Sequence, residues 1–379
     1  MKKTLIASFI LLILFFTGCR EIYNIPDETK NVKLLVVEGL LNSNGSTTIK
    51  LSRTVNPADT TKIKSELNAV VKVEGENNSS FTLTGNSKGE YVYPSLPLID
   101  NVKYRLRIKT KEGKEYLSDF VPVQKSPSID SVNWKRKETG LETGIQIYVN
   151  THDAQNQTRY YRWEYDETWE FHSTYASSFE YKNDTVVQRT DPLAIYICWT
   201  SESSNRILVS SSEKLNQDII SLAPLTIIPF SSIKMSVRYS ILVKQYALTK
   251  EGYEYWNLMR KNTEQVGTLF DPQPSSLFSN IRCLTTPDEQ VIGFVSAGTI
   301  SEKRIFISNA EVVPWTYKQI CAVEDTIAKK DITTKFANGY YIPTQAIYDM
   351  RGNIVAYLAG EAVCVDCRLR GTNIKPLFW

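Results

Sequence analysis

Four carboxylates in one short stretch, Glu164, Asp166, Glu167 and Glu170, are the residues best placed by type and spacing to do chemistry. In an extended strand, side chains two apart share a face at about 7 Å. Glu164 and Asp166 would thus form a carboxylate pair at a separation compatible with glycoside hydrolysis. The same arrangement is ordinary on the solvated face of a strand. Acid–base chemistry has little else to draw on, because the chain has only two histidines, His152 and His172, far from any metal-ligand spacing. No GxSxG, HExxH, Walker or dinucleotide-binding pattern occurs. The expectation is therefore no catalytic residue, no metal and no cofactor, with a divergent glycoside hydrolase as the remote alternative.

Cysteine is the other reactive type. Beyond Cys19 lie Cys198, Cys283, Cys321, Cys364 and Cys367, and Cys364-Val365-Asp366-Cys367 has CxxC spacing. A structural zinc wants four ligands, and the histidines are too remote to complete the set. A thioredoxin-like site would open a helix after a strand, which the context of this CxxC does not suggest. Structural disulfides are the expectation: Cys198 with Cys283, and Cys321 with one of the CxxC pair, vicinal closure of Cys364 with Cys367 being the alternative. Five is odd, so one thiol is left over.

Binding chemistry is suggested by aromatic density. Nine aromatics fall in the 22 residues from Tyr160 to Tyr181. Tyr161, Trp163 and Tyr165 share one strand face and read as core. Trp169, Phe171, Tyr175, Phe179 and Tyr181 are expected on a protruding hairpin, where Tyr and Trp suit a protein interface or a sugar platform.

The N-terminus reads as an address. Lys2 and Lys3 precede an uncharged run from Leu5 to Phe16, followed by Thr17-Gly18-Cys19. That run is shorter than the roughly 20 apolar residues of a membrane span and fits a signal peptide over 1–18. Small residues ahead of a cysteine resemble the lipobox of bacterial lipoproteins, in which that cysteine carries the lipid. Cys19 is therefore expected to be acylated, with 19–31 as tether. Removing two lysines takes the net charge from +3 to +1 and leaves no basic run, which argues against a nucleic-acid partner.

The elements that must position these residues are mainly strands. Between Val32 and Lys125, alternating apolar residues recur at about ten-residue spacing, the pattern of an immunoglobulin-like β-sandwich. A boundary falls near Ser126–Ser131, and 132–379 reads as a second, larger β-sandwich-type domain. One helix is expected over Lys250–Gln265, capped by Thr249 and ended by Gly267.

From about Tyr160 onward, the chain resembles a family of Bacteroidota lipoproteins catalogued as a domain of unknown function and encoded beside TonB-dependent receptors. The resemblance rests on Ile197-Cys198-Trp199 and on Gln245-Tyr246-Ala247-Leu248-Thr249 leading to Tyr255-Trp256. It continues through Phe270-Asp271-Pro272-Gln273-Pro274, Gly293-Phe294-Val295-Ser296, Lys303-Arg304-Ile305-Phe306-Ile307, Cys364-Val365-Asp366-Cys367 and Lys375-Pro376-Leu377-Phe378-Trp379. It implies a lipid-anchored, surface-exposed outer-membrane accessory protein with a TonB-dependent receptor as partner. A structural or adhesive envelope lipoprotein is the rival expectation.

Overall fold

The computed structural model describes residues 33–55, 63–140, 143–264 and 278–379. The signal segment 1–18, Cys19, the tether 19–31, Gly267 and the run 271–274 lie outside the described residues. The described chain is mainly β, arranged as two large bodies and a smaller C-terminal sheet.

The first body is one strand path curled round a core. From one end it runs Val291–Gly293, Leu35–Gly39, Thr47–Arg53, Glu90–Tyr93, Ser80–Gly85, Val70–Gly75, Lys103–Lys109, Val121–Gln124, Ala297–Gly298 and Leu41–Asn42. Leu35–Gly39 and Leu41–Asn42 are separated by one residue yet sit near opposite ends of that path, so the sheet bends back on itself. Gly39 makes the corner, at φ +136° with a Cβ position only 2.3 Å from the Thr48 carbonyl oxygen, which no side chain could occupy. Alternation supplies the core: Leu35, Val37, Ile49, Leu51, Val71, Val73, Tyr104, Leu106 and Ile108 all point inward.

That core is not built from 32–125 alone, as the sequence reading had it. Ile281, Cys283, Val291, Val295 and Ala297 complete it. Their strands return from the second half of the chain, Ile281–Cys283 onto Glu115–Ser118, Val291–Gly293 parallel to Leu35–Gly39, and Ala297–Gly298 onto Val121–Gln124. Glu289 fastens the excursion, accepting from Arg53 at 3.3 Å, Lys114 at 2.5 Å and the Tyr116 hydroxyl at 2.5 Å.

The second body is a sandwich. Ile129–Lys137, Gly144–His152 and Ile219–Pro229 form one sheet, while Ile197–Ser203, Tyr160–His172, Arg238–Ala247 and Ile300–Ser308 form the other. Leu208–Ser211 adds beside Tyr160–Trp163. Gln245, fully buried, accepts from Trp163 Nε1 at 2.9 Å and donates to the Pro127 carbonyl at 2.8 Å, locking the boundary segment to this core.

A three-stranded sheet of Asp325–Ala328, Ile354–Glu361 and Tyr341–Tyr348 completes the fold. Disulfides Cys198–Cys367 and Cys321–Cys364 tie it down. Cys321 thus takes one member of the CxxC, as expected, but the proposed Cys198–Cys283 bond is wrong. Cys198 lies in the second body's core and Cys283 in the first. Vicinal closure is also excluded, because Cys364 and Cys367 hold different partners. Cys283 is the leftover thiol, buried beside the Thr285 hydroxyl.

Candidate functional site

The Lys250–Glu264 helix sits where the two bodies meet. Thr249 starts it, its hydroxyl accepting the Gly252 N–H at 3.2 Å. Three aromatics then point three ways. Tyr253 packs on Tyr160, with ring centroids 5.2 Å apart, and Tyr255 turns to Phe294 of the first body at 5.4 Å. Trp256 covers the Arg162 guanidinium at 4.3 Å, and the same cation lies 4.5 Å from the Tyr246 ring.

Between this helix, the outer side of the first sheet and the Asn205–Ile207 segment lies a cleft of about 720 Å³. Its apolar walls are Val36, Ile292, Trp256 and Met259, while Glu38 and Arg206 put one acid and one base at the rim. Gly293, at φ +144°, lets the strand pass close to Val37, where a Cβ would stand 2.4 Å from the carbonyl oxygen. Tyr255 forms the inner wall. Burial raises its phenol to about 12, a backbone hydrogen bond at Gly293 offsetting part of the shift and the Glu38 charge adding to it. It stays a neutral donor throughout the physiological range. The cleft's walls are aromatic, thioether and aliphatic with two charged side chains, a lining compatible with an amphipathic group.

The carboxylates singled out by sequence are all engaged. Glu164 accepts from Arg162 at 2.7 Å and from the Tyr246 hydroxyl at 2.6 Å, and Asp166 from Lys244 at 2.7 Å and Ser203 at 2.7 Å. Burial alone would raise the Asp166 carboxyl, but the Lys244 and Ser203 hydrogen bonds outweigh it and hold it below its ordinary value. Glu167 points inward, to Lys234 at 2.6 Å and the Tyr239 hydroxyl at 2.5 Å, and Glu170 meets His172 and the Trp379 indole. His152 pairs with Asp130. Glu164 and Asp166 do share a face, as alternation demands. Among the described residues no cluster of three or more His, Cys, Asp or Glu could hold a metal ion.

The aromatic surface expected at Trp169–Tyr181 is corrected by the structure. Alternation persists to the end of the Tyr160–His172 strand, so Trp169 and Phe171 are inward, 4% and 1% exposed. Tyr175 donates to the Ala322 carbonyl at 2.8 Å. Phe179 and Tyr181 do lie on a hairpin, Phe179–Lys182 with Thr185–Gln188, but they pack against Tyr357 of the C-terminal sheet and Phe336 of the short helix Ile332–Phe336. Trp169 and Phe171 thus belong to the second body's core, while Tyr175, Phe179 and Tyr181 join it to the C-terminal part. The cleft residues Tyr255, Trp256, Met259 and Arg206 escaped sequence reading. The available signal was a helix with aromatics on more than one face, too many for an element covered on one side.

Residues 20–304 match the domain of unknown function DUF4249. The chain belongs to this family. The DUF4249 span takes in the first body, the returning strands, the cleft and most of the second body, ending within the Ile300–Ser308 strand, whereas the C-terminal sheet and three of the four bonded cysteines lie beyond it. No curated protein matches the chain. No helix among the described residues is long and apolar enough to cross a membrane.

Proposed function

We propose that this DUF4249 protein is a lipid-anchored accessory subunit of the outer membrane that binds a partner and performs no chemistry. The observation carrying this reading is the pairing of four cysteines in two disulfides. Such bonds persist in oxidising compartments, which supports reading Thr17-Gly18-Cys19 as an export and lipidation signal. Two or more acyl chains on Cys19 would hold the body at the membrane without a span. The engaged carboxylates favour binding over hydrolysis. The resemblance of the sequence to lipoproteins encoded beside TonB-dependent receptors is the reason for proposing such a receptor as the partner and Bacteroidota as the setting.

The cleft, not the buried Trp169 and Phe171, is the contact surface in this reading. Truncating an aromatic hot spot loses about 2 kcal/mol, roughly thirtyfold in affinity. Trp256→Ala with Met259→Ala is therefore expected to weaken co-purification with the receptor from native membranes by that order. Mass spectrometry of the membrane-extracted protein should find an acylated Cys19. An unmodified N-terminus downstream of it, or a tagged protein that captures no receptor, would sink the proposal and favour an adhesive envelope role.

A further inference from the structure

A second opening lies on the other side of the Asn205–Ile207 segment, within the second sandwich. It is a slot of about 680 Å³ between two strands that follow each other in sequence but belong to opposite sheets. Leu208–Ser211 pairs only with Tyr160–Trp163, and Ile219–Pro229 only with Gly144–His152. Each therefore has an outer edge that no strand among the described residues covers. The slot is lined by consecutive residues on both sides, 206–211 and 219–224, with Trp163 between them. Leu208–Ser211 lines the opening along its whole length and Ile219–Pro229 over its first six residues, so their unpaired edges border it.

Edge strands are normally guarded by charge, proline or a covering element. Here Leu215, Ile219 and Leu222 stand 52%, 48% and 39% exposed along the opening, and proline guards one end only, at Pro224. Leu222 adopts φ +51°, a left-handed conformation rare for leucine, with its N–H donated to Asn150 Oδ1 at 2.7 Å. The charge is one-sided. Arg206 and Arg260 line the slot and no acidic residue does. Arg260 donates from Nη2 to Asn257 at 2.8 Å, yet its Nε is buried without a partner. Chain order places the connection 212–218 at one end and Arg206 at the other. Arg260, one helical turn from the Trp256 that shares the cleft with Arg206 and Ile207, belongs to the arginine end.

We propose that this slot takes an extended peptide by strand addition. The peptide bonds to the open backbone edges, sets β-branched or apolar side chains over Leu215, Ile219 and Leu222, and brings an acidic residue or free carboxylate to Arg206 and Arg260. The occupant is a peptide segment of another protein, and the inference stands whether or not the accessory reading holds.

The test uses detergent-extracted full-length protein. The probe is a fluorescein-labelled heptapeptide of alternating threonine and valine ending in glutamate with a free carboxylate. Fluorescence anisotropy should report binding, and hydrogen–deuterium exchange should report new protection in 208–211 and 219–224. Arg206→Glu, a change at an exposed side chain, should weaken binding at least about tenfold with the variant's circular dichroism spectrum unchanged. Ending the peptide in amidated lysine should do the same, and N-methylating alternate peptide amides should abolish binding. Absence of binding up to about 1 mM, binding without protection in those strands, or indifference to Arg206→Glu would each overturn the proposal. Concentration-dependent dimerisation that protects the same strands without peptide would also overturn it, assigning the slot to a second copy of the chain.

Discussion

Glu289 illustrates how single side chains hold distant parts of this chain together. Burial would raise its carboxyl, but hydrogen bonds from Lys114 and Tyr116 and the Arg53 charge outweigh that and hold it below its ordinary value of 4.5. Glu74 behaves alike: burial raises it, and Arg107 and Arg105 pull it down further. A carboxyl whose folded value is depressed adds stability that is present above its unfolded value and lost as pH falls through the folded one. Denaturant titrations should therefore show stability declining below about pH 4.5, with Glu289→Ala costing about 2 kcal/mol at neutral pH and flattening that decline. His152 carries the opposite sign. Its hydrogen bond to Asp130 raises it above 6.5, so its contribution is present below that value and fades as pH rises through the folded one. An NMR titration of the imidazole, repeated in Asp130→Asn, should show the raised value returning toward 6.5. None of these partnerships was legible in the sequence, because they join residues up to 236 positions apart. What was legible was alternation: it placed Tyr161, Trp163 and Tyr165 in the core and Arg162, Glu164 and Asp166 outside. The same alternation continues to His172 and carries Trp169 and Phe171 into the core.

At the scale of elements, local signals were enough wherever the chain's own backbone decides the outcome. The Thr249 cap and the strand alternations of the first body were readable for that reason. Disulfide connectivity was not, since it depends on which core each cysteine enters. Cys198 sits on Ile197–Ser203 inside the second sandwich, and the Cys367 turn is carried onto it by the segment that pairs Thr372 with Trp199. Non-reducing peptide mapping should recover Cys198 with Cys367 and Cys321 with Cys364. Alkylation of Cys283 should require prior unfolding, because the residue is only 2% exposed. The Cys198–Cys367 bond closes 169 residues and the Cys321–Cys364 bond 43, a difference of about 1 kcal/mol in chain entropy. Cys367→Ser should accordingly lower stability by about 2–5 kcal/mol, more than Cys321→Ser does, as read by thermal unfolding without reductant.

The whole molecule departs most from its sequence reading in how the two large bodies share chain. Pro122, Pro127 and the change of pattern near Ser126 look like a domain boundary, and in one direction they are. No local signal marks residues 281–298 as belonging to the other side of it, since a strand that returns across 150 residues carries the same alternation as one that stays. The consequence is energetic. Burying a valine or isoleucine is worth about 1.5–3 kcal/mol, so losing Ile281, Val291 and Val295 removes about 5–9 kcal/mol, comparable with the entire stability of a typical domain. It would also strip the outer edge of Leu35–Gly39 and leave Arg53, Lys114 and Tyr116 without Glu289. A fragment ending at residue 125 should therefore bind a hydrophobic dye and unfold without a cooperative transition, whereas a fragment that keeps the returning strands 281–298 retains the first body's core. A sharp two-state melt of the short fragment would show that the returning strands decorate the first body and do not complete it. The cleft would then open between two independent domains, with the helix as its only fixed wall.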